Sequence, residues 1–300
     1  MQITAGYDIV YECPRPTPMI LLLSPHQSRD ADLAEPQEIM FDPPIPSERY
    51  VDGFGNVCTR IVAPAGRLSI GCRMSVSDTG LPDMLTHDAV QHPVEELPAD
   101  TLVYLLGSRY CDTDRMVNRA WDLFGSGPDG QPLTGWALVQ AICDYAHNHI
   151  VFNYQDADST RSASEAERDR RGVCRDYAHL AIALCRCMNI PARYCTGFLG
   201  DMGTEPPYGV MDFAAWFEVY LGGAWHTFDA RNNTPRIGRI LIARGRDATD
   251  VAIATTFGSC YLAGFTVITD EVVTDVAEAD MPAALPGSRS SESSIMAAGR

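Results

Sequence analysis

The stretch Gly172-Val173-Cys174-Arg175-Asp176-Tyr177-Ala178-His179-Leu180 decides the fold, because a charged loop turns there into an apolar helical pattern. Upstream, 161–171 is dense in Ser, Glu, Asp and Arg. Downstream, Ala178, Ala181, Ile182, Cys185 and Met188 recur at three- and four-residue spacing, which predicts a helix with one buried face. Gly172 permits a tight turn, and Cys174 falls where the helix begins. A thiol at that place meets unpaired backbone N–H groups and the positive end of the helix dipole, both of which favour the thiolate. Of the ten cysteines, Cys174 alone has a local reason to be reactive.

Working outward, Asn189-Ile190-Pro191 stops the helix and Ala192 to Leu199 reads as a strand. Asp212 to Leu221 and Ala224 to Asp229 are strand-like and are joined by Gly222-Gly223, which suits a two-residue primed hairpin turn. That turn places Leu221 opposite Ala224, Tyr220 opposite Trp225 and Val219 opposite His226. Further strands are expected at Ile237 to Ala243, Val251 to Phe257 and Tyr261 to Thr269. Before the cysteine, helices are expected from about Asp114 to Phe124, with Met116, Val117, Ala120 and Trp121 on one stripe, and after Thr134 as an N-cap. Residues 3 to 75 read as β structure broken by Pro14, Pro16, Pro18 and the Asp52-Gly53-Phe54-Gly55-Asn56 turn. Ser77 to Asp100 is polar and proline-bearing and reads as a surface linker.

Composition narrows the function. A net charge of −16 argues against nucleic acid or an anionic membrane as partner. The longest apolar run, Met19 to Leu23, is far too short to span a bilayer, and no secretory signal is read at the N-terminus. A cytoplasmic setting is the expectation, with most thiols reduced and filling the core. No CxxC pair occurs and Cys185-Arg186-Cys187 points to two sides of a helix, so no metal and no cofactor is expected.

The order of loop, helix-start cysteine, strand, and hairpin ending in aspartate resembles the transglutaminase-like superfamily of cysteine enzymes. The residues that carry the likeness are Gly172 to His179, Asn189-Ile190-Pro191-Ala192-Arg193-Tyr194, Ala215-Trp216-Phe217-Glu218-Val219-Tyr220-Leu221 and Trp225-His226-Thr227-Phe228-Asp229. The resemblance implies a Cys-His-Asp triad running acyl transfer through a thioester, with Cys174 as nucleophile and Asp229 as the acid that orients the histidine. The histidine is expected two residues before Trp216. Ala214 stands there, and it can accept no proton.

Other histidines are poor replacements. His226 pairs with Val219 on the opposite face of the hairpin and lies roughly 10 Å along the strand from Asp229, so it substitutes only if a bulge shifts the register. His179 points about 140° around the helix from Cys174 and is expected to hydrogen-bond within the fold. His147 and His149 suit the C-terminal end of the preceding helix. His26 belongs to the N-terminal region. Arg175 and Asp176 flank the cysteine, whereas Arg231, Arg236, Arg239, Arg244 and Arg246 read as a solvated, salt-bridged face.

The expected class is α+β: a β-rich N-terminal domain and linker over 1–100, then over 101–275 a transglutaminase-like domain with a papain-like core, its cysteine helix packed on an antiparallel sheet. Residues 276–300, small and polar, read as a disordered tail. The expected function is a cysteine-dependent hydrolase or acyltransferase on peptide or glutamine amides, impaired by Ala214. The alternative is a non-catalytic module that binds peptides or proteins in the same cleft.

Overall fold

Leu180 to Cys185 is apolar all round, a pattern that stabilises a helix only at the centre of a domain. In the computed structural model, which describes residues 1–127, 130–206 and 211–272, that segment is the central helix of a mixed α and antiparallel β fold. In chain order the elements are β1 (Gln2–Cys13), β2 (Thr17–Leu21), β3 (Met40–Asp42), β4 (Ser47–Val51), β5 (Val57–Ala63) and β6 (Gly66–Ser77). There follow α1 (Thr113–Phe124), α2 (Gly135–His149), β7 (Val151–Phe152), α3 (Ala163–Asp169), β8 (Arg171–Gly172) and α4 (Cys174–Cys187). The chain continues through β9 (Ala192–Phe198), β10 (Ala214–Leu221), β11 (Ala224–Phe228), β12 (Ile240–Gly245), β13 (Ala254–Thr256) and β14 (Tyr261–Glu271).

Helix α4 is buried from Asp176 to Cys187, with α1, α2 and α3 on one side and β9 and β10 on the other. It stops in a Schellman arrangement. Asn189 takes a left-handed φ of 62°, the Ile190 N–H donates to the Cys185 carbonyl at 2.9 Å, and the Asn189 N–H donates to Arg186 at 3.0 Å. The sheet beside α4 runs β11-β10-β9-β12 and is antiparallel throughout. Its β10–β11 hairpin has the register that Gly222-Gly223 implies, with Val219 opposite His226. Both glycines have positive φ, 58° and 84°, as a type I′ turn requires.

The helical faces are narrower than the periodicity predicts. Helix α1 buries Met116, Ala120 and Phe124, but Val117 and Trp121 are exposed, because an outer-layer helix covers its neighbour with a single i, i+4 row. On α2 the buried side chains are Trp136, Leu138, Val139, Ile142, Cys143 and Ala146, while Ala137 is exposed. Helix α3 lies in the charged stretch that reads as loop. Its signal is Ser162-Ala163-Ser164-Glu165, in which the Glu165 carboxylate accepts the Ser162 N–H at 2.8 Å. Asp112, just before α1, accepts the Ser164 N–H at 3.0 Å and so docks α3.

Two sheets lie N-terminal to the helices, and both take strands from beyond β12. One runs β14-β1-β6-β3 and the other β13-β2-β5-β4. Strand β14 pairs with β1 from Ile3–Glu271 to Glu12–Tyr261. This brings Cys13 beside Cys260, and the two form a disulfide across 247 residues of chain, with Cα atoms 4.4 Å apart. The expectation of reduced thiols is corrected for this pair; the other eight cysteines are free. Proximity of two strand ends made the pair, and no sequence spacing encodes that.

The stretch read as linker is pinned along the fold. The Asp83 N–H donates to the Arg236 carbonyl at 2.9 Å, and the Gly222 N–H donates to Val90 at 2.8 Å. Among the described residues no helix is long and apolar enough to cross a membrane. The tail expected over 276–300 lies outside the described residues.

Candidate active site

The cysteine is positioned by a carboxylate one turn into its own helix. Asp176, 1 % exposed, turns back so that its Oδ2 accepts the Val173 N–H at 2.8 Å and pairs with Arg161 Nη1 at 3.2 Å. Cys174 therefore begins α4 on the wall of a solvent-open cleft that Asp212, Ala214, Arg231, Asn232 and Arg236 also line. Arg175 is turned away. Its guanidinium lies 4.4 Å from the Tyr110 ring centroid and donates to the Arg161 carbonyl. Neither Arg175 nor Asp176 reaches the cleft, so the first packs and the second caps.

The thiol is not the helix-start thiolate that its position alone suggests. Burial pushes Cys174 up to about 11; the Ala215 N–H and Arg231 pull it down, and Asp212 and Asp229 push it further up. A helix terminus contributes about 0.3–1 kcal/mol, less than one pK unit. Burial outweighs it, and the side chain is a neutral thiol at pH 7.

The acid is engaged elsewhere. Asp229 directly follows β11, but its Oδ2 accepts from Arg239 Nη2 at 2.9 Å and Asn232 Nδ2 at 2.7 Å, and its Oδ1 accepts the Asn232 N–H at 2.9 Å. Burial would raise the Asp229 carboxyl, yet Arg239 and the Asn232 donors prevail and hold it below the usual range. Arg239 also pairs with Asp83 at 2.9 Å, and its guanidinium lies 5.1 Å from the Trp216 ring centroid. The arginine series thus differs from a solvated face: Arg236 is 8 % exposed and the Arg239 side chain is equally buried.

All seven histidines are described, and none lines the cleft. Ala214 occupies the expected histidine position on the cleft wall. His226 Nε2 donates to the Leu221 carbonyl, 3.1 Å away, and the ring packs edge-on against Trp136, so no register shift carries it to Cys174. His26 bonds Ser28, and His149 bonds the Glu167 carbonyl at 2.7 Å. His147 Nδ1 donates to the Arg231 carbonyl at 2.9 Å and braces the loop that carries Arg231 and Asn232.

His179 is interior, as its helical position predicts. Its Nε2 accepts the Ala248 N–H at 3.2 Å, and its ring stacks 5.2 Å from Tyr110. Burial, then Arg175, pushes its pKa down to about 3 against the pull of Asp247. The unfolded chain binds this proton near pH 6.5 and the folded protein only near pH 3, so stability is lost as pH falls between those values. The slope should approach 1.4 kcal/mol per pH unit, about one proton. Urea midpoints should therefore drop between pH 6 and 5; equal midpoints would mean that the imidazole is not held neutral.

The sequence pattern missed the cleft's polar lining. Arg231, Asn232 and Arg236 follow β11 in Asp229-Ala230-Arg231-Asn232-Asn233-Thr234-Pro235-Arg236, and their one signal is a charged loop that opens with the acid directly after the strand. No group of three His, Cys, Asp or Glu side chains among the described residues is arranged to hold a metal ion.

Comparison with known proteins places the fold in a family. The family model for the transglutaminase-like superfamily matches residues 128–230. The crystal structure of a candidate cysteine protease from Cytophaga hutchinsonii superposes with a TM-score of 0.77 at 31 % identity, covering 92 % of each chain. An uncharacterized Mycobacterium leprae protein is 25 % identical over 226 residues, 69 % of this chain and 74 % of its own length. An uncharacterized Mycobacterium tuberculosis protein is 33 % identical over 129 residues, 38 % of this chain and 40 % of its own.

Proposed function

Since the chain belongs to the transglutaminase-like superfamily, we propose that it is a cysteine-dependent hydrolase or acyltransferase that opens peptide or glutamine amide bonds through a thioester on Cys174. The observation that carries this reading is the placement of Cys174. Among the free cysteines it is the one that is not fully buried, and it stands at a helix N-terminus inside a cleft. The N–H groups of Cys174 and Arg175 open α4 and lack intrahelical acceptors, so they are available to a developing oxyanion.

The chemistry runs with the parts at hand. The thiol loses its proton to solvent, the sulfur attacks the carbonyl carbon, and the C–N bond breaks as the amine takes a proton from water. Water or a second amine then opens the thioester. With no imidazole to move these protons, turnover forfeits about 10²–10⁴-fold relative to a complete triad.

Alkylation tests the reading. Iodoacetamide should label Cys174 before any other cysteine, and the rate should climb about tenfold per pH unit from pH 7 toward the thiol's raised pKa. Labelling of Cys174 no faster than that of fully buried Cys143 or Cys185 would sink the proposal.

A second reading has its own observation. Ala214 and the capture of Asp229 by Arg239 remove both of the family's helpers to the cysteine, which suits a cleft that binds peptides without cleaving them. It predicts no acyl-enzyme on Cys174 with any amide substrate, and unchanged peptide affinity in Cys174→Ala. A mass shift of one acyl group on Cys174 rules it out.

A further inference from the structure

We propose that the Cys174 cleft selects substrates bearing a carboxylate beside the amide under attack, with Arg231 and Arg236 as the groups that hold it. The proposal rests on the acyl-transfer reading and supplies its substrate class. Three features of the cleft carry it.

First, one neutral oxygen serves two cations. Asn232 Oδ1 accepts from Arg231 Nη1 at 2.9 Å and from Arg236 Nη1 at 3.0 Å, so two guanidinium groups in one cleft are bridged by an amide and not by a carboxylate. Guanidinium forks match carboxylates in pairs of parallel hydrogen bonds, which an amide oxygen does not reproduce.

Second, both arginines keep capacity for an anion. Among the described residues Arg231 has no carboxylate within 4.0 Å; its guanidinium is instead laid 4.3 Å from the Phe152 ring centroid, which fixes its plane. Arg236 uses Nη2 on the Gly200 carbonyl at 2.7 Å and approaches Asp201 at 3.7 Å, yet its Nε, on a residue 8 % exposed, has no acceptor. A buried charged donor left unbonded is costly, and a ligand oxygen would relieve it. Consistent with crowded positive charge, burial first and then the neighbouring Arg239 push Arg236 below its ordinary value, with Arg231 adding to the effect against Asp229 and Asp201.

Third, the reactive atom shares the enclosure. Cys174 and Arg231 line the same cleft, so an anion seated on the guanidinium shares the recess with the nucleophile. Asp201 and Asp212 also border the cleft and balance the two arginines. On a chain of net charge −16 this makes the cleft a neutral recess in an acidic surface, where anions otherwise meet repulsion.

Two alkylating reagents of nearly equal shape read this directly. Iodoacetate carries a carboxylate next to the reacting carbon, whereas iodoacetamide carries an uncharged amide. In both, an S–C bond forms, the C–I bond breaks, iodide leaves, and the thiol proton passes to buffer. The quantity measured by mass spectrometry is the ratio of the two rates at Cys174 in the full chain, set against the same ratio for glutathione. The expected ratio at Cys174 exceeds that of glutathione by about tenfold or more, the size of one charge-assisted contact. Arg231→Gln and Arg236→Gln should each bring it down toward the glutathione value. Any change in thiolate fraction alters both rates equally and cancels from the ratio. Succinate should also slow iodoacetamide labelling in the wild type, and succinamide should not.

A wild-type ratio at or below that of glutathione, or one unchanged in both folded variants, overturns the proposal. If neither reagent reaches Cys174, the acyl-transfer reading fails and the carboxylate site falls with it. Labelling of Cys174 by both reagents at the glutathione ratio leaves that reading standing and removes only the carboxylate preference.

Discussion

Replacing Ala214 by histidine is expected to raise amide turnover at Cys174 by about 10²-fold, the lower end of what a positioned general acid–base contributes. Position 214 opens β10 on the cleft wall shared with the thiol, and the main chain there is already ordered by its antiparallel pairing with β9, Ala214 opposite Gly197 and Ala215 opposite Thr196. A side chain added at 214 extends into the space where the family places its base. The gain should fall short of the full range because Asp229 is occupied. A carboxylate offers about four acceptor sites. Arg239 and Asn232 fill three of those on Asp229, one of them on Oδ1, so a single site remains to orient an imidazole.

Two measurements check this. Steady-state kcat/KM of Ala214→His against wild type should rise, and its pH profile should gain a limb near the ordinary histidine value of about 6.5, absent from the parent. Adding Cys174→Ala must abolish the gain. A folded Ala214→His variant with no increase would mean that the cleft has diverged beyond its missing base, which favours the binding-module reading.

Gly172→Ala is expected to destabilise the protein by about 3–5 kcal/mol, the range for breaking a buried ion pair. A β-carbon at 172 would lie 2.3 Å from Asp176 Oδ2 and 2.7 Å from its Cγ. Asp176 has little freedom to yield, because the same oxygen caps Val173 and pairs with Arg161, whose side chain is 7 % exposed. Moving it leaves a buried guanidinium short of its partner and uncaps the helix that carries Cys174. The urea midpoint should fall strongly, and Cys174 alkylation should change with it because the thiol's elevation is lost. Asp176→Ala should reproduce most of the loss. An unaltered midpoint in Gly172→Ala would show that the carboxylate is not confined as described.

Much of the fold is legible along the chain. The Cys174 helix, its stop at Asn189-Ile190-Pro191, the strands on either side and the hairpin register all depend on neighbours within a few residues. Local periodicity, one left-handed position and a two-glycine turn are enough to specify them. Helix α3 was hidden because its seven residues carry a polar pattern, and only its Ser162–Glu165 cap announces it. The site divides the same way. Cys174 as the helix-start thiol and Asp229 at a strand end are local readings, and Ala214 stands out only because the family resemblance implies a base there.

By itself, then, the sequence determined the class of fold, the family resemblance and the missing histidine, since each follows from residue type at short spacing. Tertiary structure decided the rest. Only assembly brings β13 and β14 onto the N-terminal sheets, joins Cys13 to Cys260 and lays Asp83 against Arg239. Only burial turns the predicted thiolate at Cys174 into a thiol and encloses Arg236 with Asn232 in its cleft. The physical reason is common to all of these: solvation and charge pairing depend on which distant segments remove water from a group, and the one-dimensional pattern carries no record of that.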